Sequence, residues 1–196
     1  MGAVLVSAWL HDYAPKIRCA VLASPAFKVK LYVPLARSGL KLMHKWRGNF
    51  FVNSYVKSHY LTHNKARQQS YDSDPIIARA ISVRILLGLY EASERVVADA
   101  QAVTTPVQLL ISGSDWVVHH KPQHDFYNRL GSRIKERHIL KGFYHDTLGR
   151  VDNQPCGGIF GKNPRLPRQK CSQNVQSCCA FFLAGANFSS KNRFAS

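Results

Sequence analysis

An aspartate and a histidine stand where two strands of a predicted sheet end. Asp115 follows an apolar, strand-like run at residues 106–113, and His145 follows a second run at residues 133–140. In an open α/β sheet, ligands and catalytic groups gather beyond the carboxyl ends of the strands, so we expect both side chains at that edge. An acid after one strand and a histidine after the next match the chain order of a nucleophilic triad that runs Ser, Asp, His.

Each of these residues also has an ordinary explanation when it is taken alone. Asp115 could cap the helix that follows it, and His145 could be a surface histidine. Asp146 is a competing acid, but a side chain next in sequence is poorly placed to reach the ring nitrogen of its neighbour. The strand order favours Asp115 and His145 as an acid–base pair.

Apolar patterns and prolines predict the elements that position this pair. Residues 3–13 predict a mostly apolar helix, and residues 17–24 predict a short buried strand that Pro25 stops. Between the two later strands, residues 121–130 predict a helix. Strand, helix and strand in this order predict a βαβ crossover, and therefore an α/β fold with a parallel sheet.

A long insertion separates the first two strands. Residues 27–101 far exceed the roughly two to six residues of an ordinary connection between a strand and a helix. Their apolar spacing is helical over residues 31–46 and again over residues 76–98. We therefore predict an all-helical insertion at 27–101 in a core made of residues 1–26 and 102–150.

The composition and the periodicity of the sequence change after residue 150. Residues 151–196 are basic and aperiodic, which predicts an irregular tail, either disordered or foreign to the fold. Four of the five cysteines lie in this tail, and only Cys19 lies ahead of it. The body therefore has the cysteine usage of a reducing compartment, and we expect a cytoplasmic location. The tail cysteines form no two CxxC pairs, so no zinc site is expected.

Length, composition and charge narrow the class of protein. The 196 residues suit one domain with an appendage, and 45% apolar residues are enough for a core. The net charge of +16 indicates binding to polyanions or to an anionic membrane surface. No nucleic-acid-binding motif is present in the sequence, so binding to a specific nucleic acid is not expected. Two histidine pairs have helical spacing without an HExxH acid, so no metal is expected at His59 with His63 or at His120 with His124.

Three stretches of the sequence resemble a known family. They are MGAVLVSAWLHDYAPKIRCAVLASPAF at the start, LLISGSDWVV in the middle and GFYHDTLGR near residue 150. They resemble the α/β-hydrolases of the monoacylglycerol lipase, lysophospholipase and serine aminopeptidase type. The resemblance implies a partial α/β-hydrolase fold with an inserted helical cap, no cofactor, and hydrolysis of carboxylic esters of lipid-like or other hydrophobic acyl substrates.

The resemblance also implies roles for single residues. His145 would take the proton of a nucleophilic serine and return it to the leaving alcohol, while Asp115 would orient and stabilise the imidazole. Met1 matches the position after the serine of the G-x-S-x-G elbow, so the nucleophile would precede Met1, and the backbone N–H of Met1 would be one oxyanion donor. The chain is therefore expected to be N-terminally truncated and inactive by itself.

Two consequences of this truncation concern serines and strands. No serine of the chain stands in G-x-S-x-G, so none replaces the nucleophile; those weighed are Ser7, Ser24, Ser112 and Ser114. The strands that precede the elbow in the family are also missing, so the edge of the strand at 17–24 is expected to be unpaired.

The first helix of the insertion allows a role other than catalysis. Its apolar side and its basic side are distinct, with Leu31, Leu35, Leu42, Met43 and Trp46 on one and Arg37, Lys41, His44 and Lys45 on the other. Such a helix can lie in a lipid interface, making the protein peripheral to a membrane, or it can pack on its own domain with a solvated basic face. The competing function is a non-catalytic basic protein that binds anionic membrane or nucleic acid.

Overall fold

A computed structural model of the chain describes residues 1–30, 35–53, 56–147 and 180–181. The elements in these ranges are α1 (Gly2–Tyr13), β1 (Ala20–Ala23), α2 (Ala36–Arg47), β2 (Phe51–Asn53), α3 (Ser58–Leu61), α4 (Lys65–Ser73), β3 (Ala80–Ser82), α5 (Val83–Ala98), β4 (Val107–Ser112), α6 (His120–Arg129), β5 (Lys135–Leu140) and β6 (Ala180–Phe181), with a short 3₁₀ helix at Ala100–Ala102.

The central sheet has four strands in the order β5-β4-β1-β6, and each neighbouring pair is parallel. The α/β class and the parallel sheet are confirmed. Every residue of β4 is buried, as expected of a central strand that other elements cover on both faces. The strands predicted at 17–24, 106–113 and 133–140 are present as β1, β4 and β5, each a few residues shorter than its apolar run.

Helix α5 packs against both α1 and α6, α1 contacts β1, and α6 contacts β4. The core that they share includes Leu10, Leu22, Val96, Leu109 and Phe126. Helix α6 connects β4 to the parallel strand β5, which is the predicted βαβ crossover. Because β4 and β5 are parallel neighbours, the loops that follow them lie at one edge of the sheet.

The insertion is not all helix, and this prediction was wrong at two short strands. Ala80–Ser82, which the periodicity assigned to a helix over 76–98, forms β3 and pairs antiparallel with β2. Helix α5 begins only at Val83, whose N–H donates to the carbonyl of Phe50 at 2.9 Å. A three-residue apolar stretch carries too little periodicity to separate a strand from a helix. The helix predicted at 31–46 is present as α2, and residues 31–34 lie outside the described ranges.

The outer edge of β1 is paired at two of its residues. Ala20 and Val21 pair in parallel with Ala180 and Phe181, so the expectation of an unpaired edge was wrong at these positions. The remainder of the predicted tail at 151–196, with its four cysteines, lies outside the described residues. Among the described helices, none combines the length and apolar character that crossing a bilayer requires.

Candidate active site

Two loops at the carboxyl edge of the sheet bring Asp115 and His145 together. Asp115 follows β4 and His145 follows β5, and these strands are parallel neighbours, so their carboxyl ends lie side by side. Oδ2 of Asp115 lies 2.7 Å from Nδ1 of His145. The side chains are 1% and 10% exposed, respectively, so the bond is shielded from water.

The two carboxylate oxygens of Asp115 have separate partners. Oδ1 accepts the backbone N–H groups of Val117 at 2.7 Å and Val118 at 3.0 Å, while Oδ2 meets His145. Burial raises the pKa of Asp115, but the hydrogen bond and charge of His145 and the two N–H donors outweigh it, so this pKa lies below its usual value. Asp115 is therefore ionised at neutral pH, and Nδ1 of His145 is the donor. In the neutral ring this tautomer leaves the basic lone pair on Nε2.

The first residues of the insertion hold the loop that carries Asp115. Nζ of Lys30 donates to the carbonyl of Asp115 at 2.8 Å. The backbone N–H of Lys30 donates to the carbonyl of Val117 at 2.8 Å, and Val29 forms an antiparallel bridge with Val118. The loop is thus fixed on the side of the insertion by one side-chain contact and two backbone contacts.

A glycine allows the two loops to approach each other. The N–H of Gly113 donates to the carbonyl of Leu140 at 2.8 Å. A Cβ at Gly113 would lie 3.0 Å from that carbonyl oxygen, which belongs to the backbone and cannot easily move away. The sequence showed Gly113 only as the end of a strand, because a close approach between loops leaves no periodic pattern.

Three buried hydroxyl groups join the ends of β1 and β4 to the loop beyond His145. The hydroxyl of Ser24 donates to that of Ser112 at 2.9 Å, and both lie within hydrogen-bond reach of the hydroxyl of Thr147, at 2.8 Å and 3.1 Å. The hydroxyl of Thr147 also lies 3.3 Å from the carbonyl of His145. Ser24 has a φ of 40°, in the left-handed region that is costly for a side-chain-bearing residue. Sequence reasoning missed this cluster, which fixes the segment next to His145.

The other serines and the competing acid have partners elsewhere. The hydroxyl of Ser7 donates to the carbonyl of Ala3 at 2.7 Å within α1. Ser114 donates its backbone N–H to Phe143 at 2.9 Å. The carboxylate of Asp146 lies 3.0 Å from Nε of Arg67. These contacts agree with the preference for Asp115 as the acid partner of His145.

Met1 occupies the N-cap position of α1, and its carbonyl accepts the N–H of Val4 at 2.9 Å. Burial lowers the pKa of its amino group. Its role as an oxyanion donor stays a prediction. In the described part of the chain, no three His, Cys, Asp or Glu side chains are grouped as a metal site would need.

Comparison with protein families identifies the family of the chain that carries this pair. The model of the family described as "Serine aminopeptidase, S33" matches residues 1–152. The chain belongs to this family. It is thus an α/β-hydrolase, and residues 1–152 include β1, β4, β5 and both members of the pair.

Two curated relatives of this hydrolase are similar to the same part of the chain. The Escherichia coli K12 protein "Uncharacterized protein YnbC" is 66% identical over 149 residues, which are 76% of this chain and 26% of that protein. The "Putative monoglyceride lipase" of Schizosaccharomyces pombe is 26% identical over 142 residues, which are 72% of this chain and 35% of that protein. The chain therefore spans about a quarter to a third of the length of these relatives.

Two solved structures show the same fold. A Paleococcus ferrophilus monoacylglycerol lipase has a TM-score of 0.71 at 20% identity, and the match covers 76% of this chain and 59% of that one. A monoglyceride lipase of Saccharomyces cerevisiae, crystallised with a substrate analogue, has a TM-score of 0.65 at 15% identity, covering 73% of this chain and 51% of that one. The α/β-hydrolase fold of these two structures covers about three quarters of this chain.

Proposed function

We propose that this chain carries the acid and the base of a serine hydrolase that cleaves carboxylic esters of lipid-like or other hydrophobic acyl groups. The observation that carries the proposal is the 2.7 Å contact between Asp115 and His145 at the carboxyl edge of the sheet. Buried, ionised Asp115 fixes the tautomer of His145 that a general base needs. The fission-yeast relative, named "Putative monoglyceride lipase", and the two solved monoacylglycerol and monoglyceride lipases support this substrate class.

The proposed reaction is acyl transfer through a covalent intermediate. A serine that precedes Met1 in the whole protein attacks the ester carbonyl, and Nε2 of His145 takes its proton. The same proton passes to the leaving alcohol, and water then attacks the acyl-enzyme with His145 again as the base. Asp115 stabilises the imidazolium in both steps. The backbone N–H of Met1 would donate to the oxyanion.

The insertion at 27–101 is proposed to act as the cap of this site. Its first residues hold the Asp115 loop through Lys30, and its α4 contacts the loop of His145 through Arg67. A cap that touches both loops can exclude water from the reacting groups. The cytoplasm, where Cys19 would remain reduced, is the proposed location.

The first test is the DNA upstream of the Met1 codon, followed by an assay of the extended protein. The proposal predicts an open frame that encodes G-x-S directly before Met1. The extended protein should hydrolyse monoacylglycerol and p-nitrophenyl esters. Replacing the base, His145→Ala, should lower kcat by roughly 10⁶-fold, as for the histidine of a protease triad, and Asp115→Asn by roughly 10⁴-fold. A frame without the G-x-S codons, or substitutions that leave kcat unchanged, would overturn the proposal.

A second proposal, which specifically concerns helix α2, is that the protein associates peripherally with anionic membranes. No residue of α2 is fully buried. Leu42 and Trp46 are turned to solvent, 59% and 85% exposed, and Leu35 at the start of the helix is 82% exposed, while Leu40 is half-buried. The alternative of a helix packed on its own domain with only its basic face solvated does not match these exposures.

The basic residues of α2 flank this apolar side. Arg37 and Lys41 lie toward α5, where Nη2 of Arg37 donates to Glu94 at 2.8 Å and Nζ of Lys41 lies 3.9 Å from Glu91. Lys45 and Arg47 are exposed, and α2 contains no acidic residue. We call the exposed side chains of Leu35, Leu42 and Trp46 the apolar ridge. A ridge with cations beside it fits the boundary between acyl chains and anionic headgroups.

Vesicle sedimentation separates this proposal from its competitors. The protein should bind vesicles that contain phosphatidylglycerol more strongly than pure phosphatidylcholine vesicles, and added salt should weaken the binding. Removing the ridge with Leu42→Ala and Trp46→Ala should lower the partition coefficient at least about tenfold, because each side chain loses burial in lipid. Ile76→Ala, which removes an exposed residue outside α2, is the control. Equal binding by the ridge variant, or preference for duplex DNA over anionic vesicles, would contradict the proposal.

A further inference from the structure

The insertion contacts the loop that carries His145 both before and after that residue in the chain. This loop, residues 141–147, follows β5 and is here called the His145 loop. Three residues of the insertion contact it: Leu61 at the end of α3, His63 in the following turn and Arg67 in α4. We name these contacts the clasp.

The clasp holds the two residues adjacent to His145 in the chain. The backbone N–H of Asp146 donates to the carbonyl of Leu61 at 2.8 Å, and the carboxylate of Asp146 lies 3.0 Å from Nε of Arg67. On the other side, the ring of His63 lies against the ring of Tyr144, with centroids 3.6 Å apart. The carboxylate side chain of Asp146 is 17% exposed and the side chain of Arg67 is 42% exposed, so water screens this ion pair from the side of Arg67.

The segment that forms the clasp is itself ordered. The side chain of Asn64 caps α4 and accepts the N–H of Ala66 at 3.0 Å. Nε2 of Gln68 donates to the carbonyl of Thr62 at 2.7 Å across the same turn. Leu61 and Arg67 therefore reach Asp146 from a turn with internal support.

The sheet and the insertion hold alternate residues of the His145 loop. The sheet side holds Phe143, whose carbonyl accepts the N–H of Ser114, and Thr147, through the hydroxyl cluster. The clasp holds Tyr144 and Asp146. The sheet side already reaches the carbonyl of His145 through Thr147. The clasp adds restraints on Tyr144 and Asp146, so contacts from both sides restrict the direction of the His145 ring more than contacts from the sheet alone.

The geometry points to Arg67 and His63 as positioning residues that orient His145 toward Asp115, so that the placement of the insertion and the Asp115–His145 hydrogen bond are coupled. The catalytic meaning of this coupling rests on the proposed function, whereas the coupling itself does not. Displacing α4 from the His145 loop would weaken the hydrogen bond between His145 and Asp115. Returning α4 to its contacts with the loop would restore that hydrogen bond. A site of this kind is assembled only when the insertion is in place.

Proton NMR of the full chain tests the coupling without any assay of hydrolysis. The Nδ1 proton of His145, which is hydrogen-bonded to the carboxylate of Asp115, should give a low-field resonance and should exchange slowly with water. In Arg67→Ala its exchange should be at least about fivefold faster, the lower end of typical coupling between sites, while Arg67→Lys should recover part of the protection. Arg79→Ala is the matched control, since Arg79 also lies in the insertion but donates to Asp72 instead.

Unchanged exchange in Arg67→Ala would overturn the proposal and assign the clasp to packing alone. Equal acceleration in Arg79→Ala would also overturn it, because a general loosening of the insertion would then be the cause. If Arg67→Ala does not fold, Arg67→Gln, which keeps most of the stem, decides by the same criteria. A failure of the extended protein to hydrolyse esters would count against the proposed function and would leave this measurement interpretable.

Discussion

The hydroxyl of Ser24, at the end of β1, lies 2.8 Å from the hydroxyl of Thr147, two residues past His145. Both side chains are buried, and Ser112 at the end of β4 completes the cluster. Parallel strands end at one edge of the sheet, so short polar side chains there can tie a later loop to the sheet. This contact ties the His145 loop to the sheet, while Asp115 forms a hydrogen bond with the ring of His145.

Removing the hydroxyl of Thr147 should loosen this attachment. Thr147→Val keeps the shape of the side chain but leaves Ser24 and Ser112 with only each other, so we expect a loss of about 1 to 3 kcal/mol in the free energy of unfolding. Thr147→Ser retains the hydroxyl and should lose less. Urea denaturation of both variants measures the difference, and equal losses would show that the methyl group, rather than the hydroxyl, matters.

Acid should destabilise the protein through Asp115. Its pKa is lower in the folded chain than in the unfolded chain, so its contribution to stability is fully present above the unfolded value, about 3.9, and is lost as the pH falls through the folded value. Asp115→Asn removes this titration. The free energy of unfolding should therefore fall more steeply below about pH 5 in the parent chain than in the variant. Parallel curves for the two proteins would contradict the assignment, since Asp12 and Glu94, whose pKa values are also lowered, remain in both.

Two glycines should respond in opposite ways to a methyl group. A Cβ at Gly131, just past α6, would lie 2.0 Å from the carbonyl oxygen of Gln101, and no rotation of a side chain can relieve this backbone clash. A Cβ at Gly88, inside α5, meets nothing within 4 Å. Gly131→Ala should therefore destabilise the fold by more than about 1 kcal/mol, and Gly88→Ala should stabilise it by about 0.5 to 1 kcal/mol. Thermal unfolding distinguishes them, and a neutral Gly131→Ala would mean that the 3₁₀ helix at Ala100–Ala102 and the turn after α6 are farther apart than described.

The pairing of Asp115 with His145 could be predicted because Asp115 follows a strand with a clear apolar run and His145 follows a strand with a weaker one. Once β4 and β5 were identified as the two ends of a βαβ crossover, the edge at which their loops meet was determined. The hydroxyl cluster could not be predicted in this way. Ser24, Ser112 and Thr147 come from three distant segments, and single hydroxyl groups leave no periodic pattern.

The insertion shows a second limit of sequence patterns. The residues of α2 separate into an apolar and a basic side, but this pattern does not indicate which side meets the rest of the protein. In the structure Arg37 lies toward Glu94 of α5, while Trp46 points to solvent. The antiparallel pair of β2 and β3 was missed because each strand has only three residues and depends on its partner for hydrogen bonds.

The most direct test of the central claim is to identify the serine that His145 activates. The protein extended upstream of Met1 is treated with a fluorophosphonate probe, and the modified residue is identified by mass spectrometry. We expect stoichiometric labelling at the serine immediately before Met1, no labelling of the 196-residue chain, and labelling of the His145→Ala variant slowed to near background. Labelling of Ser7, Ser24, Ser112 or Ser114, or an equal labelling rate in His145→Ala, would contradict the claim that Asp115 and His145 are the acid and base of a serine hydrolase.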